Sequence, residues 1–361
     1  MLPEKPPVLP SSIYQAIDWY DFSQTYNPLG TPEPFVAAMH AISKTSTHEG
    51  DLDKTFADIK TLLAQRYGVR PENVAVGTTP KSILEAVAKT FEQTSICVPI
   101  PSRETYTSTF KNAGHKVIHA TNPEGFVTPE PDVAQKLNEA FDAAVLANPT
   151  YPTSRLLPRH TLRAYLHSCI WVLVDERGVD LTMDGESAAT MVGKYDNLIL
   201  LESFTDVYSM PGLPISCALA NEALANKIQQ NLKPPEPFVL IRAFAEMSLT
   251  LTRQLEITTE VLEREIPWMQ CMLSLIPGIT IYPAEANYVM CAYNPAPHMQ
   301  LGATSTADLV RKLQQHGFLV RELTRTPGIE PGSRICISVR SHTDNERFIN
   351  TMRNIVQNSK K

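Results

Sequence analysis

The chain has 361 residues, of which 43% are hydrophobic and 19% are charged, and its formal net charge is −6. The apolar content is sufficient for a large core, and the length indicates one large domain with a smaller one beside it. A negative net charge gives no indication of a basic surface, so nucleic acid and anionic membranes are not expected as partners.

The longest apolar stretches have the length of strands and fall short of a membrane span. Residues 1–12 (MLPEKPPVLPSS) lack the charged region and the apolar core of a signal peptide. The six cysteines are scattered without a CxxC pair, and the histidines show no metal-ligand spacing. We therefore expect a cytoplasmic protein with reduced, buried thiols and no metal site.

The chain opens with a proline-rich N-terminal arm, predicted over residues 1–30. Apolar residues then recur with a period near 3.6 over residues 34–43 and 53–66, which predicts two helices. Short apolar segments that predict buried strands follow at residues 74–76, 96–99, 116–119, 143–146, 170–174, 198–201 and 215–219. Helices are predicted between the first of these strands, at residues 80–91 and 106–113. This alternation indicates a mostly parallel sheet, in a large α/β domain over residues 31–253.

A long helical tract is predicted over residues 236–275, with a break near 250–253. The rhythm then changes, and a small α+β domain is predicted over residues 276–361. Its strands are expected at residues 279–282, 288–292, 318–322 and 334–339, and its helices at 306–316 and 343–356.

Several segments, in order along residues 20–350, carry a resemblance to a known family. They are residues 21–30 (DFSQTYNPLG), 68–77 (GVRPENVAVG), 148–154 (NPTYPTS), 174–176 (VDE), 202–206 (ESFTD), 211–214 (PGLP), 317–322 (GFLVRE) and 334–340 (RICISVR). The set resembles fold-type I, pyridoxal-phosphate-dependent aminotransferases of class I/II, nearest the branch of threonine-phosphate decarboxylase and histidinol-phosphate aminotransferase. The resemblance implies a large domain of the PLP-dependent transferase fold, a small α+β domain and a homodimer with active sites at the subunit interface.

The same resemblance implies that several cofactor-binding residues of the family are replaced. The lysine that forms the internal aldimine falls at Asp206, and a carboxylate cannot form an imine. The asparagine that contacts the pyridine hydroxyl falls at Tyr151, the arginine that clamps the phosphate at Pro214, and the ring-stacking aromatic residue at Arg103. The tyrosine lent by a neighbouring subunit would lie near Asp51, where the sequence has none. Pyridoxal phosphate is thus expected from the family, but not as a covalent adduct.

Other positions keep the residue types of the family. The expected cofactor-binding positions are Thr78, Thr79, Tyr106, Tyr151, Asp175, Ser203 and Thr205. In the family, Asp175 pairs with the pyridine nitrogen, and it ends a predicted strand at the edge where such folds bind ligands. The alternative is that Asp175 only caps the next turn, and that Ser203 and Thr205 only satisfy backbone groups. Pro80 removes one backbone N–H from the predicted phosphate-binding helix start.

The substitutions also introduce charge, because Lys81 and Arg103 are positive near the former phosphate and ring positions and Asp206 is negative. Such a set could bind a small anionic or zwitterionic ligand, or it could reflect drift at unconstrained positions. The candidate ligand-binding residues are Asn27, Lys81, Arg103, Arg334 and Arg340. In the family, an arginine at the position of Arg334 holds the substrate carboxylate or phosphate. Arg334 and Arg340 are expected to alternate with apolar residues along one strand, with the same parity. A surface ion pair is the alternative role for both arginines.

Three functional hypotheses follow. The first is a pseudoenzyme that binds a ligand or a protein partner without catalysis. The second is an enzyme with new, cofactor-independent chemistry, in which Asp206 and Asp175 serve as acid and base. The third is a PLP-dependent aminotransferase or decarboxylase acting on an amino-acid phosphate, with its lysine elsewhere, although no lysine lies between Lys194 and Lys227.

Overall fold

The structure is a computed structural model that describes residues 19–44, 52–121, 125–137, 139–211, 215–233, 238–295 and 301–357. Its strands are β1 (Tyr20–Phe22), β2 (Val74–Gly77), β3 (Ser95–Ile100), β4 (Lys116–Thr121), β5 (Ala143–Ala147), β6 (Trp171–Asp175), β7 (Leu198–Ser203), β8 (Ser216–Ala220), β9 (Ile279–Ile281), β10 (Tyr288–Tyr293), β11 (Phe318–Glu322) and β12 (Arg334–Ser338). Its α-helices are α1 (Glu33–Lys44), α2 (Leu52–Tyr67), α3 (Pro80–Thr90), α4 (Glu104–Asn112), α5 (Pro131–Leu137), α6 (Arg159–Ser168), α7 (Phe204–Val207), α8 (Glu222–Gln230), α9 (Phe238–Ser248), α10 (Thr252–Ser274), α11 (Thr306–Gln315) and α12 (His342–Gln357).

The larger of two sheets within the described residues has the strand order β2-β8-β7-β6-β5-β3-β4. Strand β8 runs antiparallel to β2 and β7, and the other neighbours are parallel. The predicted fold class, an α/β domain with a mostly parallel sheet, is confirmed. All residues of β5 to β8 are buried because helices cover both faces of the sheet.

Successive side chains of β6 show how the core divides between the two faces. Val172 and Val174 belong to one buried cluster, and Trp171 and Leu173 to another on the opposite face. The strand is therefore held on both sides, and Asp175 at its end is positioned by a rigid element.

The smaller sheet has the order β1-β11-β12-β10-β9, and its strands β9 to β12 match the predicted α+β rhythm. Strand β1 pairs in parallel with β11, with Tyr20 opposite Phe318. Residues 20–22 lie within the predicted arm, so this part of the arm is a strand of the small sheet. Three residues are too few to give a recognisable period, which is why the sequence did not indicate this strand. The predicted domain boundaries themselves stay a prediction.

The predicted helical tract is broken close to the expected position, because a turn at residues 249–251 separates α9 from α10. Leu262, Ile266, Met269 and Leu273 of α10 recur at helical spacing and pack into the core of the small sheet. The chain therefore passes from the large sheet to the small one through a single long helix.

Five of the cysteines are buried, and Cys271 is exposed on α10. The expectation that all thiols are buried is wrong for Cys271, because this residue lies on the exposed face of helix α10 and not in a buried strand. Among the described residues, no helix has the length and apolar character needed to cross a bilayer. The same residues include no cluster of His, Cys, Asp or Glu side chains suited to a metal ion.

Replacing Phe22 by alanine tests whether β1 belongs to the folded core. The Phe22 ring stacks on Phe348 of α12 at 4.6 Å between centroids, and it is fully buried. We expect Phe22→Ala to lower the free energy of unfolding by about 3–5 kcal/mol, measured by denaturant titration. The control is Trp19→Ala, because Trp19 is 47% exposed. Equal, small effects of both substitutions would contradict a structural role for β1.

Candidate functional site

The candidate site lies at the carboxyl ends of β6 and β7, where open α/β sheets bind their ligands. A cavity of about 20 Å³ is found there. The charged and aromatic side chains around it are Arg103, Tyr106, Asp175, Arg177, Asp206 and Tyr288. A cavity of roughly 10–15 Å³ holds one water molecule, whereas sites for organic ligands measure about 300–1,000 Å³. This cavity therefore has room for a water molecule and no room for an aromatic ring.

Asp175 lies at the centre of the site and is 4% exposed. Its carboxylate accepts hydrogen bonds from Tyr106 Oη at 2.5 Å and from Arg177 Nε at 2.9 and 3.0 Å. Arg177 Nη2 also donates to Asp175 Oδ2 at 2.5 Å, and the Arg177 backbone N–H lies 3.3 Å from Oδ1. The carboxylate is thus saturated by donors from its own chain.

The charges around Asp175 keep it ionised. Burial alone would raise its pKa, but the charge and hydrogen bonds of Arg177, the charge of Arg103 and the hydrogen bond of Tyr106 outweigh that effect and lower the pKa. Burial and the neighbouring Asp175 charge raise the pKa of Tyr106. At neutral pH, Tyr106 is therefore the donor and Asp175 the acceptor.

Asp206 enters the cavity from the first turn of α7. Ser203 is the N-cap of this helix, with the Thr205 backbone N–H 3.4 Å from Ser203 Oγ, and the Asp206 carbonyl accepts the Asn27 N–H at 2.9 Å. Burial raises the pKa of the Asp206 carboxyl, the charges of Arg103 and Arg177 oppose this, and Asp175 adds to it. Asp206 and Asp175 thus line the same cavity, with opposite pKa shifts.

Arg103 and Tyr151 form the outer wall of the site. The Arg103 guanidinium lies over the Tyr151 ring at 4.3 Å from its centroid. Both side chains also line a groove of about 310 Å³ that runs past residues 321–326, and Arg103 is shared between groove and cavity. The prediction that Arg103 brings positive charge to the site agrees with this placement.

At the predicted phosphate-binding helix start, two backbone N–H groups are bonded to side chains of the same turn. Thr79 Oγ1 accepts the Ser82 N–H at 3.1 Å, and Ser82 Oγ accepts the Thr79 N–H at 3.1 Å. Thr78 Oγ1 donates to Ser82 Oγ at 3.3 Å. The Lys81 side chain is 66% exposed and faces Glu85 at 3.7 Å. Neither threonine nor Lys81 is among the residues that line the cavity.

The side chain of Asn27 forms hydrogen bonds within the protein. Its side-chain amide donates to the Val207 carbonyl at 2.8 Å and to Thr258 Oγ1 at 3.0 Å, and its oxygen accepts the Leu29 N–H at 2.9 Å. It holds the segment after β1 against α7 and α10, and every polar atom of its side chain has a partner. It is therefore placed as a tether rather than as a group facing the cavity.

Neither C-terminal arginine lines the cavity. Arg334 Nε donates to Tyr282 Oη at 3.0 Å, and its guanidinium lies within 5.7 Å of the Phe126 ring centroid. Arg340 was expected on the same strand as Arg334, but β12 ends at Ser338 and Arg340 lies beyond it. The expected alternation of the two arginines along one strand is wrong because the strand is shorter.

Arg177 is the functional candidate that the sequence analysis missed. It follows the strand-end aspartate by two residues, and its side chain folds back onto that carboxylate. The signal in the sequence was a basic residue at position i+2 from a strand-end acid. Asp51 and Pro214, which the resemblance placed at the lost tyrosine and arginine, lie outside the described residues.

The residues present do not fit pyridoxal phosphate. The cavity is too small for a pyridine ring, and its lining contains two arginines and no lysine. Asp175 is already saturated by Arg177 and Tyr106. At the start of α3, a capping box already occupies the N–H groups of Thr79 and Ser82. Among the residues that line the cavity, none therefore offers an amine for covalent attachment, and the carboxylate that would meet the pyridine nitrogen is already paired.

A family profile, a sequence relative and two solved structures all point to the same protein family. The profile described as aminotransferase class I and II matches residues 18–352. Histidinol-phosphate aminotransferase 2 of Archaeoglobus fulgidus is 28% identical over 305 residues, which cover 83% of each chain. Two solved structures share the fold. The histidinol-phosphate aminotransferase of Clostridium acetobutylicum has a TM-score of 0.82 at 20% identity, covering 93% of this chain and 98% of that one. The L-threonine-O-3-phosphate decarboxylase of Porphyromonas gingivalis has a TM-score of 0.74 at 19% identity, covering 92% and 98%.

The neighbour of Asp175 gives a pH-dependent prediction. Burial raises the pKa of the Glu176 carboxyl from 4.5 to about 7, although Ser187, Ala188 and Asn148 donate hydrogen bonds to it. Because the folded state binds this proton more tightly, the contribution to stability is complete below pH 4.5 and is lost as the pH rises through about 7. The loss approaches about 3 kcal/mol.

Glu176→Gln removes this titration. We expect the free energy of unfolding of the variant, relative to the wild type, to rise between pH 4.5 and about pH 8, measured by denaturant titration. The control is Glu186→Gln, because the Glu186 side chain is 78% exposed. A pH-independent difference between wild type and Glu176→Gln would contradict the raised pKa.

Proposed function

Because the chain belongs to the aminotransferase class I and II family, we propose that it keeps the fold of that family and acts by binding, without forming an aldimine with pyridoxal phosphate. The ligand is a small anionic or zwitterionic molecule, or the partner is another protein. The observation that carries this proposal is the Asp175–Arg177 pair inside a cavity of about 20 Å³.

The charge distribution supports a binding role at the outer groove. Arg103, Arg321 and Arg325 line this groove of about 310 Å³, and Glu104 and Glu322 lie beside them. A groove with both signs of charge suits a ligand that carries both signs, and three guanidinium groups favour an anionic portion. The volume falls in the range of small-molecule sites.

A second candidate function is suggested by the relatives. Their names describe histidinol-phosphate aminotransferases and a threonine-phosphate decarboxylase. An enzyme acting on an amino-acid phosphate with pyridoxal phosphate would require a lysine at the site after a rearrangement of Arg177. A cofactor-independent acid–base enzyme would instead depend on Asp206, whose pKa is raised by burial.

Absorbance of the purified protein before and after addition of pyridoxal phosphate tests the proposal. We expect no specific aldimine band and, after borohydride reduction and peptide mass mapping, no single lysine labelled in preference to the exposed ones, because no lysine lines the cavity. The Archaeoglobus fulgidus relative treated in parallel is the positive control.

A borohydride-stable adduct on one specific lysine would overturn the binding role. The second candidate would then be tested directly with histidinol phosphate and threonine phosphate as substrates. If no adduct forms, turnover by wild type that is lost in Asp206→Asn would identify the acid–base enzyme instead.

We also propose a cytoplasmic homodimer, which the family membership supports. Multi-angle light scattering is expected to give twice the 40.1 kDa mass of the chain. The mass should be independent of dilution in the micromolar range, because interfaces of obligate dimers are large and apolar. A mass equal to that of one chain would contradict the dimer.

A further inference from the structure

Arg177 occupies the centre of the site as a ligand would. We propose that the Arg177 guanidinium is a resident cationic ligand of Asp175, supplied by the chain itself, and that its removal opens a site selective for planar monocations of the guanidinium or amidinium class. This inference deepens the proposed non-catalytic role and rests on it, because a site filled by its own chain has no room for a cofactor.

The contact between the two side chains is a chelate. Nε lies 2.9 and 3.0 Å from the two oxygens of Asp175, and Nη2 lies 2.5 Å from Oδ2. Two coplanar N–H groups thus meet one carboxylate, which a planar fork can do and a single ammonium cannot. The third donor, Tyr106 Oη, fixes the carboxylate at 2.5 Å from the opposite element, α4.

The pair is shielded from solvent. The Asp175 side chain is 3% exposed and that of Arg177 is 17% exposed. Removing one partner of a buried ion pair leaves the other charge uncompensated, which is strongly unfavourable. A cation that enters the vacated space would therefore be bound for electrostatic reasons as well as for shape.

The charges facing the cavity favour a monocation over other ligands. With Arg177 present, the two arginines Arg103 and Arg177 balance the two carboxylates Asp175 and Asp206. Without Arg177, the summed formal charge of Arg103, Asp175 and Asp206 is −1. One positive charge restores neutrality, and Asp206 adds attraction because its charge acts on the Arg177 position. The structure gives both the charge and the planar geometry of the expected ligand.

The test uses the full chain with Arg177→Ala and the probe N-ethylguanidinium, which reproduces the atoms removed by the substitution. We expect the melting temperature to fall by about 4–7 °C in Arg177→Ala and to be partly restored by the probe. Calorimetry should show one probe per chain. Ethylammonium is the control cation, expected to bind about tenfold or more weakly because it lacks the planar fork. Wild type and Asp175→Asn/Arg177→Ala should bind neither cation.

The inference would be overturned by a melting temperature of Arg177→Ala equal to that of wild type, or by no preference for N-ethylguanidinium over ethylammonium. Arg177→Met separates charge from volume, because methionine fills the space without a cation. It should be destabilised and should not respond to the probe, and wild-type stability of Arg177→Met would also contradict the proposal.

If Arg177→Ala does not fold by itself, refolding yield supplies the same readout. N-ethylguanidinium should raise the yield of soluble Arg177→Ala, and ethylammonium at equal concentration should not. Equal yields with both cations would count against the resident cation. The proposed function fails separately, through a lysine adduct in wild type, and the behaviour of Arg177→Ala with the two cations does not depend on that result.

Discussion

The ion pair between Asp175 and Arg177 is the interaction on which the rest of the site depends. It forms at the end of β6, a strand buried on both faces, so its position is fixed by the core of the large sheet. Breaking a buried pair of this kind costs about 3–5 kcal/mol, because the remaining charge has no partner. Burial is the main cause of the raised pKa values of Tyr106 and Asp206 beside the pair, while the Asp175 charge adds to both shifts and the Arg177 charge opposes both.

Around this pair, the described residues use their polar groups on one another. Thr79 and Ser82 cap the start of α3 mutually, Asn27 holds three groups, and Arg334 lies between aromatic rings. Hydrogen-bonding groups that are satisfied internally gain little from an added ligand, because each new contact must first break an existing one. Arg103 differs, since its guanidinium rests on the Tyr151 ring and remains at the boundary with the outer groove.

The fold was largely accessible from the sequence, and the site was accessible only in part. The strands of the large sheet are short apolar runs between helices, and local composition determines such runs. Strand β1 was missed because its three residues are stabilised by partners almost 300 positions away in the chain. Asp175 and Asp206 were predicted from motif positions, whereas Arg177 was not, because matching a family pattern directs attention to the positions that the pattern names. The placement of Arg334 depends on Tyr282 and Phe126, and contacts at that separation leave no local periodicity.

The segment between β1 and α1 connects the two sheets in an additional way. Ser338 Oγ of β12 donates a hydrogen bond to the Phe22 carbonyl at 3.0 Å. Five residues after Phe22, the Asn27 side chain donates hydrogen bonds to the Val207 carbonyl and to Thr258 Oγ1. Further bonds join the sheets, because Ser154 Oγ accepts the N–H groups of Glu285 and Ala286 and the Thr150 carbonyl accepts Tyr288 Oη. Any opening of the outer groove therefore has to break several hydrogen bonds together. Because Tyr288 also lines the charged cavity, a movement of the small sheet against the large one changes the groove and the cavity at the same time.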